Sequence, residues 1–207
     1  MQNVETVIFD IGNVLIRWDP CNLYRRMGLA DAETAAFMAE TALAEINHRR
    51  LDAGAPFTET IAELAVKFPH HAEFIEAFDR RWPEMLGGPI DANVTLFRSL
   101  LAAGIAVHAI SNFSRSKFDL AREVFPFLDE FDDVLISGDV GCVKPDPEIF
   151  ELLVARCELV PQQSVFIDDN PANIETARRL GFLTILFEEN RTDVAAELGR
   201  LGVRFRQ

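Results

Sequence analysis

The chain has 207 residues, of which 49% are hydrophobic and 26% charged, and a formal net charge of −13. This is the composition of an ordinary globular protein, long enough for a sizeable core plus an insertion. The acidic balance excludes general binding to nucleic-acid backbones or anionic membranes, both of which need a basic footprint. An anionic substrate would therefore require a local positive device, such as a metal ion or a pocket lysine. No apolar run reaches transmembrane length, and the start lacks the basic region of a signal peptide. Cys21, Cys142 and Cys157 form no CxxC pair. They read as small buried hydrophobes in a reducing, cytoplasmic protein.

The first predicted element is a strand over residues 4–9 that runs directly into Asp10, followed by Ile11-Gly12-Asn13. A carboxylate at the end of a buried strand is costly unless its charge is used. Residues 17–89 show no convincing strand but several amphipathic helical patterns, at 32–47, 57–68 and 72–78. They separate the first strand from the second by far more than a normal crossover. Beyond them, helix and strand alternate. Helix 94–103 stops at Gly104 and is followed by strand 105–110. Helix 118–125 precedes strand 134–136. Helix 147–157 opens on Pro147 and leads to strand 164–167. Helix 171–180 stops at Gly181 before strand 183–187. The alternation predicts an α/β protein with a parallel sheet covered by helices on both faces.

Four polar segments stand at or just beyond predicted strand ends: Asp10–Val14, Ser111-Asn112, Gly141–Pro147 and Asp168–Asn173. In an open α/β sheet ligands bind outside the carboxyl ends of the strands, so the four segments converge on one crevice. Each residue type has a task in phosphoryl transfer. Asp10 can attack phosphorus and form an acyl phosphate. Ser111 and Asn112 can hold the non-bridging oxygens, and Lys144 can neutralise phosphate charge. Asp168 and Asp169 can complete an oxygen shell for Mg²⁺. Read singly, Ser111-Asn112 is equally a turn, Lys144-Pro145 a solvated lysine, and Asp168-Asp169-Asn170 a helix cap.

Together the segments resemble the four motifs of the haloacid dehalogenase-like hydrolase superfamily, and the helical insertion is similar to its C1-type cap, the subfamily I arrangement. The resemblance covers nearly the whole chain. It implies a Rossmann-like core over residues 1–16 and 92–207, and a mobile helical cap over 17–91. It further implies a Mg²⁺-dependent hydrolase acting on a small phosphorylated metabolite, as a monomer or homodimer. Asp10 is then nucleophile and metal ligand, with the Gly12 carbonyl and Asp169 as further ligands. Lys144 is catalytic and binds phosphate with Ser111 and Asn112. Asp168 and Asn173 lie in the outer shell.

One position departs from the pattern. Phosphatases of this superfamily usually carry a second aspartate two positions after the nucleophile, which protonates the leaving group and then activates water. Here that position is Gly12. Sugar-1-phosphate phosphatases of the same subfamily are similar in carrying glycine there, and Asp19 or His48 are candidates to replace the acid. A 2-haloacid dehalogenase, whose halide needs no proton, is one alternative. It fits poorly with the Asp168-Asp169 pair, which suggests a metal, and Arg25, Arg26, Arg49 and Arg50 do not form the dehalogenases' cap arginine pattern. A phosphate-binding or regulatory protein with little turnover is the other alternative. Trp18, Tyr24, Asn47, His48 and Trp82 are the residues expected to select the substrate.

Overall fold

The computed structural model describes residues 4–205. Strand β1 (Thr6–Phe9) is buried along its whole length. A tight turn then leads to β2 (Ile16–Trp18), and the helical insertion follows. It contains α1 (Pro20–Arg26), α2 (Asp31–Thr41), α3 (Leu43–Ile46), α4 (Phe57–Lys67) and α5 (Ala72–Arg80). The chain returns along β3 (Leu86–Pro89), which pairs antiparallel with β2.

This ribbon corrects the expectation that residues 17–89 contain no strand. Its two members are only three and four residues long and one is Leu-Gly-Gly-Pro, so neither shows the alternation by which a strand is read. The helix expected over 32–47 is also interrupted. Ala42 adopts a left-handed conformation, and a π-helical turn follows over Asn47–Leu51. The Thr41 hydroxyl, which donates to the Phe37 carbonyl at 2.9 Å, belongs to the loosened end of α2.

The remaining elements alternate as expected apart from two further helices: α6 (Asp91–Ala102), β4 (Ala106–Ser111), α7 (Arg115–Val124), β5 (Asp133–Ile136), the single turn α8 (Ser137–Val140), α9 (Pro147–Arg156), β6 (Ser164–Asp168), α10 (Pro171–Arg179), β7 (Leu183–Leu186) and α11 (Val194–Arg200). Of these, α8 and α11 lie outside the predicted pattern. Five strands form one parallel sheet in the order β5-β4-β1-β6-β7. Successive residues of a strand face opposite sides of the sheet. Val7 and Phe9 accordingly join a core with Phe97, Leu100, Phe118 and Leu198, contributed by α6, α7 and α11. Ile8 joins a second core with Ile149, Phe150, Leu153 and Ile174, from α9 and α10. Helices therefore cover both faces of a Rossmann-like α/β sheet. Among the described residues no helix is long and apolar enough to cross a membrane.

The sheet order matters for the site. β1 lies between β4 and β6, with Phe9 level with Ala109 on one side and Ile167 on the other. One residue further, the carboxyl ends deliver Asp10 between the ends of β4 and β6, which carry Ser111 and Asp168.

Candidate active site

Asp10 is almost fully buried. Its Oδ1 accepts hydrogen bonds from the Ile11 amide (2.6 Å) and the Ser111 hydroxyl (2.7 Å), and lies 2.9 Å from Lys144 Nζ. None of these bonds engages Oδ2. Lys144 and Asp168 are 1% and 0% exposed, so this is an interior charge cluster. Lys144 Nζ also donates to Asp168 Oδ2 at 2.7 Å.

Asp168 is held on every side. Its Oδ1 accepts from the Asn170 amide at 2.8 Å, and Asn173 Nδ2 donates to both oxygens at 2.9 and 3.0 Å. Asp169, partly exposed, faces the same point. One carboxylate oxygen from each of Asp10, Asp168 and Asp169 lies within 4.8 Å of the others. An all-oxygen donor set of this density suits a hard divalent cation such as Mg²⁺.

The electrostatics follow from burial. Desolvation raises the Asp10 carboxyl from 3.8 to about 7, with Lys144 opposing the rise and Asp168 adding to it. Asp169 is raised too, first by desolvation and then by the charge of Asp168, against the pull of Lys144 and a hydrogen bond from Asn13. Burial disfavours the charged form of Lys144, but Asp10 and Asp168 outweigh it and raise its pKa, so the ammonium persists.

Asn112 lines the cavity and is tied to the Lys144 backbone. Its Oδ1 accepts from the Lys144 amide (2.8 Å) and its Nδ2 donates to the Lys144 carbonyl (2.9 Å). The same Nδ2 lies 3.4 Å from His48 Nδ1. Asn112 thus clamps the backbone that presents Lys144. Gly12 lies in the cavity wall, and a Cβ added there would meet nothing within 4 Å.

Asp10, Gly12, Ser111, Asn112, Lys144 and Asp169 line a cavity of about 270 Å³ roofed by the insertion, while Asp168 is buried behind it. The volume is at or below the lower end for ligand pockets, about 300 Å³, and so suits a small substrate. Trp18, Asn47, His48 and Trp82 line it as expected; Tyr24 does not. Tyr24 is fully buried, packs edge-on against Phe37 and donates its hydroxyl to the Phe74 carbonyl at 3.1 Å. It belongs to the insertion's own core. Asp19 is likewise structural: it caps α1 by accepting from the Cys21 amide at 2.8 Å. Among the described residues no arginine lines the cavity. The three cysteines are unpaired and half-buried, rather than core residues.

Sequence reasoning missed the polar cavity residues Asp52, Lys117 and Ser114. Asp52 follows the π-helical turn, and its Oδ2 accepts from Asn47 Nδ2 at 3.2 Å. Lys117 Nζ reaches from α7 to Asp79 Oδ1 of α5 at 2.5 Å and sits 4.3 Å above the Phe57 ring. The Ser114 hydroxyl and Asn173 Oδ1 are buried without a protein partner. The signal that could have found Asp52 is the Asp-Ala-Gly turn directly after a polar helical run.

A parallel α/β sheet with a strand-end carboxylate, a buried lysine and an acidic cluster under a helical roof is the arrangement of a hydrolase. The chain belongs to the haloacid dehalogenase-like hydrolases, whose family model matches residues 4–181. It is 25% identical to a D-ribitol-5-phosphate phosphatase of Bacteroides thetaiotaomicron, over 94% of this chain and 97% of that protein. It is 31% identical to a sesquiterpene phosphatase of Aspergillus oryzae, over 45% of this chain and 48% of that one. Its fold is similar to that of a haloacid dehalogenase-like enzyme from B. thetaiotaomicron solved with magnesium and inorganic phosphate. The TM-score is 0.74 at 19% identity, over 94% of this chain and 99% of the other. The L-2-haloacid dehalogenase of Xanthobacter autotrophicus shares the fold at a TM-score of 0.65 and 17% identity, over 99% and 85% of the two chains.

Proposed function

We propose that this protein is a Mg²⁺-dependent phosphatase that hydrolyses a small phosphate ester through a phospho-aspartate on Asp10. The observation that carries the reading is the buried Asp10–Lys144–Asp168 cluster with Asp169 beside it, in one small roofed cavity. The similarity to a ribitol-phosphate phosphatase along nearly the whole chain supports it, as does the magnesium and phosphate in a protein of the same fold. A metal-free dehalogenase has no use for three converging carboxylates.

Asp10, Asp169 and the Gly12 carbonyl would hold the Mg²⁺, which supplies charge neutralisation at the phosphate oxygens. Asp168 is already saturated by Lys144, Asn170 and Asn173, and so orients the lysine from the outer shell. Ser111 fixes Asp10 Oδ1, aims Oδ2 at phosphorus and borders the phosphate. Lys144 balances charge on Asp10 and the incoming phosphate. Asn112 holds the Lys144 backbone in register and offers its amide toward the cavity. Residues 17–91 serve as a cap on the core formed by 1–16 and 92–207, closing over the substrate to exclude water. The unpaired cysteines support a reducing, cytoplasmic setting.

The test is phosphate release from a panel of sugar and polyol phosphates, with and without Mg²⁺, beside 2-haloacids and an Asp10→Asn control. Multiple turnovers that need Mg²⁺ and Asp10 are expected. Halide release without metal, or no turnover of any ester, would sink the reading.

A further inference from the structure

The open question at this site is the proton. Gly12 stands where the acid/base of related phosphatases would be, and no other group on the β1 turn takes its place. Asp19 is engaged in capping α1. His48 lines the cavity, but its Nδ1 faces an Asn112 donor, and burial followed by the neighbouring Arg49 charge lowers its pKa, which leaves it a weak proton source.

We propose that Asp52, carried by the insertion, is the catalytic acid/base that substitutes for the missing carboxylate at Gly12. The inference rests on the phosphatase reading above and names the residue that completes its chemistry.

Three features place Asp52 for this role. First, the π-helical turn closes an i→i+5 bond, from the Asp52 amide to the Asn47 carbonyl at 2.8 Å. That ring stacks Asn47 over Asp52 on the cavity side, and Asn47 Nδ2 holds Asp52 Oδ2 at 3.2 Å. Single π-turns of this kind recur at functional sites. Second, the backbone at Asp52 is seated on the core: the Ser137 hydroxyl donates to the Asp52 carbonyl at 2.5 Å. Two residues on, Gly54 lies so close that a Cβ would stand 2.7 Å from the Gly138 carbonyl oxygen. Third, Asp52 and Asp10 line the same cavity, with the space beside Gly12 open between the core and the roof. In support, burial, and secondarily the charge of Asp10, raises the Asp52 carboxyl well above the usual range, the direction a proton donor needs.

The steps balance. Asp10 Oδ2 forms a bond to phosphorus as the bond from phosphorus to the ester oxygen breaks, and the departing alkoxide takes the Asp52 proton to leave as an alcohol. The Asp52 carboxylate then accepts a proton from water as the water oxygen attacks the phospho-aspartate. The phosphorus bond to Asp10 breaks, inorganic phosphate is released, and both carboxyl groups return to their starting forms.

The test compares wild type, Asp52→Asn and Asp52→Asn/Gly12→Asp in Mg²⁺, using a polyol phosphate and 4-nitrophenyl phosphate. The two esters differ in leaving group: an alkoxide that needs a proton and an acidic phenol that does not. Asp52→Asn should lower kcat/KM for the alkyl ester by about 10²–10⁴, the usual contribution of a positioned acid. The aryl ester should lose less than about tenfold, and phospho-Asp10 should accumulate in acid-quenched samples with that ester. Gly12→Asp in the same chain should restore at least tenfold on the alkyl ester, which also shows that the variant is folded. Equal losses on both esters, no loss on the alkyl ester, or no restoration by Gly12→Asp would overturn the assignment of Asp52. If the wild-type protein turns over neither ester, the phosphatase reading itself fails.

Discussion

Asp10 should make the metal-free protein less stable as the pH rises, and neutralising it should remove that cost. Its carboxyl ionises near 3.8 in the unfolded chain and near 7 in the folded protein. Below 3.8 it is protonated in both states and contributes nothing. Between 3.8 and 7 the unfolded chain releases the proton while the folded one keeps it, so stability falls with pH; above 7 the loss is complete. At 1.36 kcal/mol for each tenfold change in proton affinity, the total is on the order of 4 kcal/mol. Asp10→Asn should therefore gain roughly 3 kcal/mol over wild type between pH 5 and pH 8. For a chain of this size that is a difference in Tm of about 5–10 °C. Thermal unfolding in EDTA at the two pH values measures it. Mg²⁺ should raise the wild-type Tm at pH 8 more than that of Asp10→Asn, because it offsets the cost of the buried charge. A variant no more stable than wild type at pH 8, or a gain independent of pH, would refute the account of Asp10 as a charge held against desolvation.

Lys117→Met breaks the buried pair that ties α7 to α5 and leaves Asp79 uncompensated. It should cost about 3 kcal/mol in urea unfolding, with a double variant carrying Asp79→Asn losing less than the sum of the two single changes. The same Lys117→Met change should speed hydrogen exchange across Ala72–Arg80, because the insertion loses a tether. Gly12→Ala meets open space on an ordinary backbone, so its stability should be unchanged or up to about 1 kcal/mol higher by chemical denaturation. Gly54→Ala should behave oppositely. Its φ of +93° and the Gly138 carbonyl 2.7 Å from the added Cβ predict a loss of at least 2 kcal/mol. Its alkyl-phosphate turnover should fall together with that of Asp52→Asn.

The core half of the site was legible because strand ends and punctuation are local signals. Asp10, Ser111 and Asp168 each follow a short apolar run, and parallel pairing brings such ends to one edge whatever lies between them. Lys144 was legible only through its company, since a lysine before Pro145 reads as solvated until it stands between two carboxylates. The roof was not legible for a physical reason. Asp52 lies in the run Asn-His-Arg-Arg-Leu-Asp-Ala-Gly, where aspartate before glycine signals a turn; only the π-helical geometry and the Ser137 contact place it in the cavity wall. Lys117 sits in a polar helix whose pattern predicts solvent exposure, and its partner is 38 residues away. Tyr24 was read into the cavity because an aromatic near a predicted site gives no sign of which way it faces. The β2–β3 ribbon was invisible because pairing between Ile16 and Pro89 is set by closure of the insertion, not by strand propensity.

The division of groups between core and insertion has a consequence for selectivity. Asp10, Ser111, Lys144 and Asp168 are all held by the sheet ends and the segments that follow them, so opening the insertion leaves them in place. In the proposed closure Asp52 moves with the insertion, and its seat is Ser137, seven residues before Lys144. Nucleophile and phosphate cradle are thus permanent, whereas the proton donor is present only when the Asp52 carbonyl meets the Ser137 hydroxyl. A phosphate ester too large for a cavity of about 270 Å³ can place its phosphate against Lys144 while holding the roof open. Its alkoxide then has no proton to leave with. Acid/base catalysis worth about 10²–10⁴ in rate is withheld from such a substrate, a larger discrimination than the roughly 10–200-fold that one misfitting methylene supplies. Moving the acid from Gly12 to the insertion makes closure itself the test of substrate size.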